Sequence, residues 1–147
     1  MTIRVFVFDD DESVRTTFAR MLSRLGYEVI TFSRAALCDS CKCLDGQVCA
    51  DIIISDVDMP GVTGLEFIAG QRMNGCKASS VALMSGKWTE SGLQRARELG
   101  CHIFQKPLNI QEMKEWLEHC QRNILPGRTL APWFQQDADP QGPGDDA

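Results

Sequence analysis

Asp51-Ile52-Ile53-Ile54-Ser55-Asp56-Val57-Asp58-Met59-Pro60-Gly61 is the stretch on which the fold turns. Its three consecutive isoleucines carry no polar alternation, the pattern of a central strand covered by helices on both faces. The run then ends in a hydroxyl and a carboxylate, and Met59-Pro60-Gly61 makes a loop. Three other segments have the same form: Val5-Phe6-Val7-Phe8 runs into Asp9-Asp10, Val81-Ala82-Leu83-Met84 into Ser85-Gly86, and His102-Ile103-Phe104-Gln105 into Lys106-Pro107. As parallel strands of one sheet, their carboxyl ends converge on a single crevice, where open α/β folds place their ligands. Three carboxylates, a hydroxyl and an ammonium then meet at one site, a set suited to a divalent cation and a phosphoryl group.

Stretches of helical period separate these runs, which predicts a doubly wound (βα)5 chain with a parallel sheet. Val14, Phe18, Met21, Leu22 and Leu25 mark helix one, which Gly26 stops. Glu28 to Phe32 reads as strand two, and Arg34 to about Leu44 as helix two, broken at Asp45-Gly46. After strand three, Asp51 to Ser55, helix three carries Leu65, Phe67, Ile68 and Met73 and ends at Asn74-Gly75. Ser80 to Met84 forms strand four, about Thr89 to Leu99 helix four, and Cys101 to Phe104 strand five. Helix five runs from about Asn109 to Asn123, with Asn109 as its cap and Ile110, Met113, Leu117 and Cys120 as its apolar stripe.

A chain of 147 residues that is 44% hydrophobic fits one domain with a sizeable core. Its net charge of -5 argues against direct DNA binding. Met1 to Phe8 leads straight into Asp9-Asp10-Asp11-Glu12, with no signal-peptide pattern and no span-length apolar run. A cytoplasmic protein without membrane attachment is therefore expected, its seven cysteines reduced.

Adjacent acids at one strand end are usually solvated turn residues. That reading weakens when Asp56, Ser85 and Lys106 occupy matching ends of three other strands. Three carboxylates within a few Å hold one another's protons on unless a hard cation sits among them, and Mg²⁺ suits an all-oxygen site.

The sequence strongly resembles the receiver domain of bacterial two-component response regulators, over roughly residues 3 to 123. The resemblance rests on Phe8-Asp9-Asp10-Asp11-Glu12, Ser55-Asp56-Val57-Asp58-Met59-Pro60-Gly61, Met84-Ser85-Gly86 and Gln105-Lys106-Pro107-Leu108, in the family's order and spacing. It implies a flavodoxin-like fold with strand order 2-1-3-4-5 and a stand-alone, chemotaxis-regulator-like phosphorelay switch rather than a turnover enzyme. Asp56 aligns with the phosphoacceptor, which takes its group from a sensor histidine kinase, a phosphotransfer protein or a small phosphodonor. Asp10, Asp56 and the backbone carbonyl of Asp58 would ligate Mg²⁺, with Asp9 acting mainly through water. Lys106 would balance phosphoryl charge, Ser85 would bond the arriving group, and Phe104 fills the switch-aromatic position. The Lys106-Pro107 bond would be cis. Asp58 and Lys87 depart from the commonest pattern and should overhang the crevice, either modulating access or serving as solvated charges.

On this reading residues 1–123 form the receiver and 124–147 a Pro/Gly/Asp-rich tail, largely flexible. Output would leave through helix four, strand five and helix five, to a downstream protein or a second copy of the chain, with Trp116 or the Trp133-Phe134 island contributing apolar contact. Two alternatives compete. Asp56-Val57-Asp58 matches the nucleophile and acid pair of haloacid-dehalogenase-type phosphatases, although Met59-Pro60 interrupts the continuation. Cys38, Cys41, Cys43 and Cys49 have spacings that suggest a redox or metal module, but Cys38 and Cys41 fall on one helical face at core-compatible positions.

Overall fold

The structure is a computed structural model that describes residues 1–35 and 47–132. In chain order its elements are β1 (Arg4–Phe8), α1 (Glu12–Arg24), β2 (Glu28–Phe32), β3 (Gln47–Val48), β4 (Ile52–Asp56), α2 (Gly64–Met73), β5 (Ser80–Ser85), α3 (Glu90–Glu98), β6 (His102–Gln105), α4 (Ile110–Gln121) and β7 (Thr129–Leu130). Five strands make one parallel sheet in the order β2-β1-β4-β5-β6. With the short β3 and β7 set aside, this is the 2-1-3-4-5 order expected, and the flavodoxin-like doubly wound fold with it.

Every residue of β1, β4 and β5 is buried, because both faces of the sheet are covered. On one face Phe6, Phe8, Ile53 and Leu83 pack with Phe67 and Ile68 of α2 and Ala96 of α3. Val5, Val7, Ile54 and Met84 point the other way, onto Phe18 and Leu22 of α1 and Met113 and Leu117 of α4. The alternation along each strand thus serves two cores, which is why the isoleucine run needs no polar position. Burying each such side chain contributes about 1.5–3 kcal/mol.

Helix starts follow local chemistry. Thr89 and Asn109 accept from the backbone N–H of Gly92 and Glu112, capping α3 and α4. Three expected stripe positions differ. Leu25, Met73 and Ile110 are exposed, because Leu25 caps the end of α1, Met73 closes the last turn of α2 and Ile110 opens the first turn of α4. Of the expected second helix only Arg34 and Ala35 fall within the described residues, with Ala35 buried.

Residues 124–131 stay on the domain. Ile124 and Ala131 are buried, and β7 pairs in parallel with β3, extended by the Ala131 N–H donating to the Val48 carbonyl at 2.8 Å. Arg128 forks onto the buried Asp51 carboxylate with both bonds at 2.7 Å, and also reaches the Thr2 carbonyl at 2.6 Å. Arg4, itself 6% exposed, donates to the carbonyls of Cys49 and Ala131. Arg4 and Arg128 fasten residues 124–131, the first part of the stretch assigned to the tail, across the amino-terminal ends of the strands. Trp133 and Phe134 lie outside the described residues.

Candidate functional site

β4 lies at the centre of the sheet and ends in Asp56; β1, its neighbour, is followed by Asp9 and Asp10. Asp9 and Asp56 are buried and Asp10 exposed, and the three carboxylates offer oxygens within 4.8 Å of one another. Lys106, in the turn after β6, brings its Nζ to 3.3 Å from Asp9 Oδ2 and 3.2 Å from Asp56 Oδ1. The Lys106-Pro107 peptide there is cis. Asp9 Oδ1 accepts the Asp11 N–H at 2.9 Å, while Arg15 donates to the Asp9 carbonyl at 2.8 Å. Both oxygens of Asp9 therefore have protein partners. Asp56 differs: its Oδ1 lies within ion-pair distance of Lys106 but is not aligned for a hydrogen bond, and among the described residues this buried atom has no hydrogen-bond partner.

Charge in this crevice is costly. Burial pushes the Asp9 carboxyl above its usual range, and the Asp11 N–H and Lys106 only partly oppose it. Asp56 is likewise raised, first by burial and then by the negative charge of Asp9. For Lys106, burial works to depress the ammonium, but Asp9 and Asp56 together outweigh it and hold its proton on. One ammonium shared between two buried carboxylates and a third exposed one leaves net negative charge. Three carboxylates with oxygens within 4.8 Å of one another, and one ammonium to balance them, are what a hard divalent cation satisfies, so the residues present fit a divalent metal.

Ser85 ends β5, almost fully buried. Its Oγ donates to Asp58 Oδ2 at 3.1 Å and accepts the Lys87 N–H at 3.0 Å. Among the described residues the Asp58 carboxylate meets Ser85 and forms no ion pair with Lys87. Phe104 is buried between two rings, edge-on to His102 at 4.6 Å and to Trp116 at 5.6 Å, and those two stack at 5.4 Å. The Trp88 indole donates to the Phe104 carbonyl at 2.9 Å, joining the loop after β5 to β6.

Two positions that shape the site carry weaker sequence signals. Gly64 opens α2 against the end of β4, where a Cβ would collide with the Asp56 carbonyl and come within 3.0 Å of Val57 Cα. The Thr63 hydroxyl and the Glu66 carboxylate cap α2 reciprocally, fixing that approach. The Thr63-x-x-Glu66 spacing was readable; the need for glycine between them appears only once helix and strand are in contact.

The cysteine module gains no support. Burial pushes the Cys101 and Cys120 thiols up to about 11, which makes them poor nucleophiles. Cys38, Cys41 and Cys43 lie outside the described residues. The one group of candidate metal ligands found among the described residues is Asp9, Asp10 and Asp56.

Comparison with known proteins agrees with this geometry. Residues 5–118 match the family described as the response regulator receiver domain. A probable chemotaxis protein CheY of Rhizobium etli is 29% identical over 118 residues, covering 79% of this chain and 90% of that one. The DNA-binding transcriptional regulator NtrC of Azospirillum brasilense is 32% identical over 141 residues, 95% of this chain but only 28% of that protein. Among solved structures, the Vibrio cholerae chemotaxis protein CheY4 superposes with a TM-score of 0.66 at 26% identity, covering 84% of this chain and 100% of that one.

Proposed function

This chain belongs to the response regulator receiver domain family, and on that premise we propose that Asp56 is the carboxylate that accepts the phosphoryl group. The phosphoacceptor role of the domain follows from the family, and the haloacid-dehalogenase and cysteine-module alternatives are not supported. The observation that supports the assignment to Asp56 is its buried carboxylate at the end of the central strand, its Oδ1 ion-paired with the Lys106 ammonium at 3.2 Å and beside the Asp9-Asp10 pair. In the transfer an Asp56 oxygen bonds to phosphorus while the bond from phosphorus to the imidazole nitrogen of a phosphohistidine breaks. The electron pair leaves with the imidazole, and an acyl phosphate remains. Lys106 and Ser85 are the groups placed to receive charge on the phosphoryl oxygens.

The divalent cation suited to this cluster is Mg²⁺, which Asp10, Asp56 and the Asp58 carbonyl would hold, while Asp9, whose own oxygens are engaged, would act mainly through water. When bound it supplies charge neutralisation on the phosphoryl oxygens. Receiver domains of this family are regulatory and meet sensor kinases and downstream targets. For this chain, slow self-catalysed phosphotransfer and dephosphorylation are its only catalysis, and the α3–β6–α4 face is its output surface, toward a target protein or a second copy. No helix among the described residues is long and apolar enough to cross a membrane.

The test is intact-mass spectrometry after acetyl phosphate and Mg²⁺. One added phosphoryl group is expected on the wild type and none on Asp56→Asn. Undiminished labelling of that variant would move the acceptor elsewhere.

A further inference from the structure

Ser85 has one hydroxyl proton, and a hydroxyl donates to one acceptor at a time. Here that proton is committed to the Asp58 carboxylate at 3.1 Å, a charge-assisted bond. The oxygen of the same hydroxyl holds the Lys87 N–H at 3.0 Å. The next residues are tied to β6: Gln105 Nε2 donates to the Gly86 carbonyl at 3.1 Å, and the Trp88 indole to the Phe104 carbonyl at 2.9 Å. A continuous set of bonds thus runs from Asp58 through Ser85 and residues 86–88 to the strand that carries Phe104. A phosphoryl oxygen on Asp56 can take the Ser85 proton only if Asp58 gives it up.

We propose that the Asp58 carboxylate is a resting-state latch on Ser85, holding its hydroxyl and the loop 86–88 in place until a phosphoryl group displaces it. The inference rests on Asp56 being the phosphoacceptor and adds a positioning residue that opposes the phosphorylated state. Asp58 competes with the phosphoryl group for one proton, so its strength sets how far that group must pull before the loop yields. Asp58 is exposed, so its replacement leaves both cores untouched.

Removing Asp58 also removes a negative charge near an incoming anion, and the experiment separates the two effects. Beryllofluoride with Mg²⁺ is titrated into wild type, Asp58→Ala and Asp58→Asn, each also in a Ser85→Ala background, and followed by tryptophan fluorescence. Asparagine loses the charge but keeps an acceptor oxygen for Ser85. Asp58→Ala is expected to bind the mimic roughly three- to tenfold more tightly than Asp58→Asn, the worth of one hydrogen bond. That difference is expected to vanish when Ser85 is alanine. Equal affinities of the two variants, or a difference that survives in Ser85→Ala, would overturn the latch.

A second readout needs no phosphoryl mimic. Amide exchange at residues 86–88 of the free protein should quicken in Asp58→Ala and not in Asp58→Asn, and unchanged exchange in both would overturn the proposal independently. Failure of every variant, wild type included, to bind beryllofluoride would instead overturn the phosphoacceptor reading on which the latch depends.

Discussion

Asp56 and Asp9 show what burying two carboxylates side by side costs the fold. Both carboxyls are raised, chiefly by burial, so the metal-free fold binds protons more tightly than the unfolded chain. Stability from these groups is therefore fully present below the ordinary carboxyl value of 3.8 and is lost as pH rises through the raised folded values. In chelator, urea denaturation should show the wild type losing stability as pH climbs from the acidic range toward neutrality, an excess slope that Asp56→Asn reduces. At neutral pH Asp56→Asn is expected to be about 1–2 kcal/mol more stable than the metal-free wild type, a gain of the kind seen when a functional charge is removed. Saturating Mg²⁺ should raise the wild-type melting temperature at neutral pH, by an increment that shrinks on acidification because protons and metal compete for the same oxygens. An Asp56→Asn variant no more stable than wild type would mean that Lys106 already compensates the buried charge. Asp9, Asp10, Asp56, Ser85 and Lys106 were legible in sequence because each terminates or follows an apolar strand. The Ser85–Asp58 bond was not, since spacing places both residues at the crevice without saying which partner Asp58 takes.

At the scale of elements, the sequence was most readable where one rule acts over many residues. Five strands, their order by resemblance, and the cap at Asn109 follow from apolar runs and a capping residue. A strand of two residues has no periodicity to detect, so β3 and β7 were invisible, and their partner signals, Arg128 and Asp51, lie far apart in the chain. Arg128 binds Asp51 with little solvent around it, and its loss leaves a buried carboxylate that the Arg4 backbone N–H still meets at 3.1 Å. Arg128→Ala is expected to cost about 2–4 kcal/mol in urea denaturation, with some relief because the loop can admit water. Arg128→Lys should recover part of this, since one ammonium cannot reproduce the two-pronged contact. Gly64→Ala belongs to the same scale: helix α2 would have to move off the Asp56 carbonyl, so phosphorylation should fall more than stability does. A Gly64→Ala protein labelled by acetyl phosphate at the wild-type rate would show that the approach of α2 does not position Asp56.

Across the whole molecule the sheet separates two jobs by its polarity. Carboxyl ends of the strands carry Asp9, Asp56, Ser85 and Lys106, while the strap of residues 124–131 closes the amino ends, where Asp51 and Arg4 receive it. On the proposed function a phosphoryl signal would leave sideways, along β5 and β6, because these paired strands hold Ser85 and the buried Phe104. Phe104 is edge-on to Trp116 of α4, which in turn borders a groove of about 890 Å³ with His102, Glu112, Glu115 and His119. A reorientation of Phe104 would therefore displace the Trp116 indole on α4, part of the proposed output face. Beryllofluoride should change amide exchange in residues 86–121 and leave β3 and β7 unchanged, and it should alter tryptophan fluorescence in wild type but less in Trp116→Phe. The comparison needs the full chain, since a cut after Asn123 would remove Ile124, Arg128 and Ala131 and confuse loss of the strap with loss of signalling. Exchange that changed at the strap and not in α3, β6 and α4 would place the output at the amino-terminal pole, and the lateral route would fall.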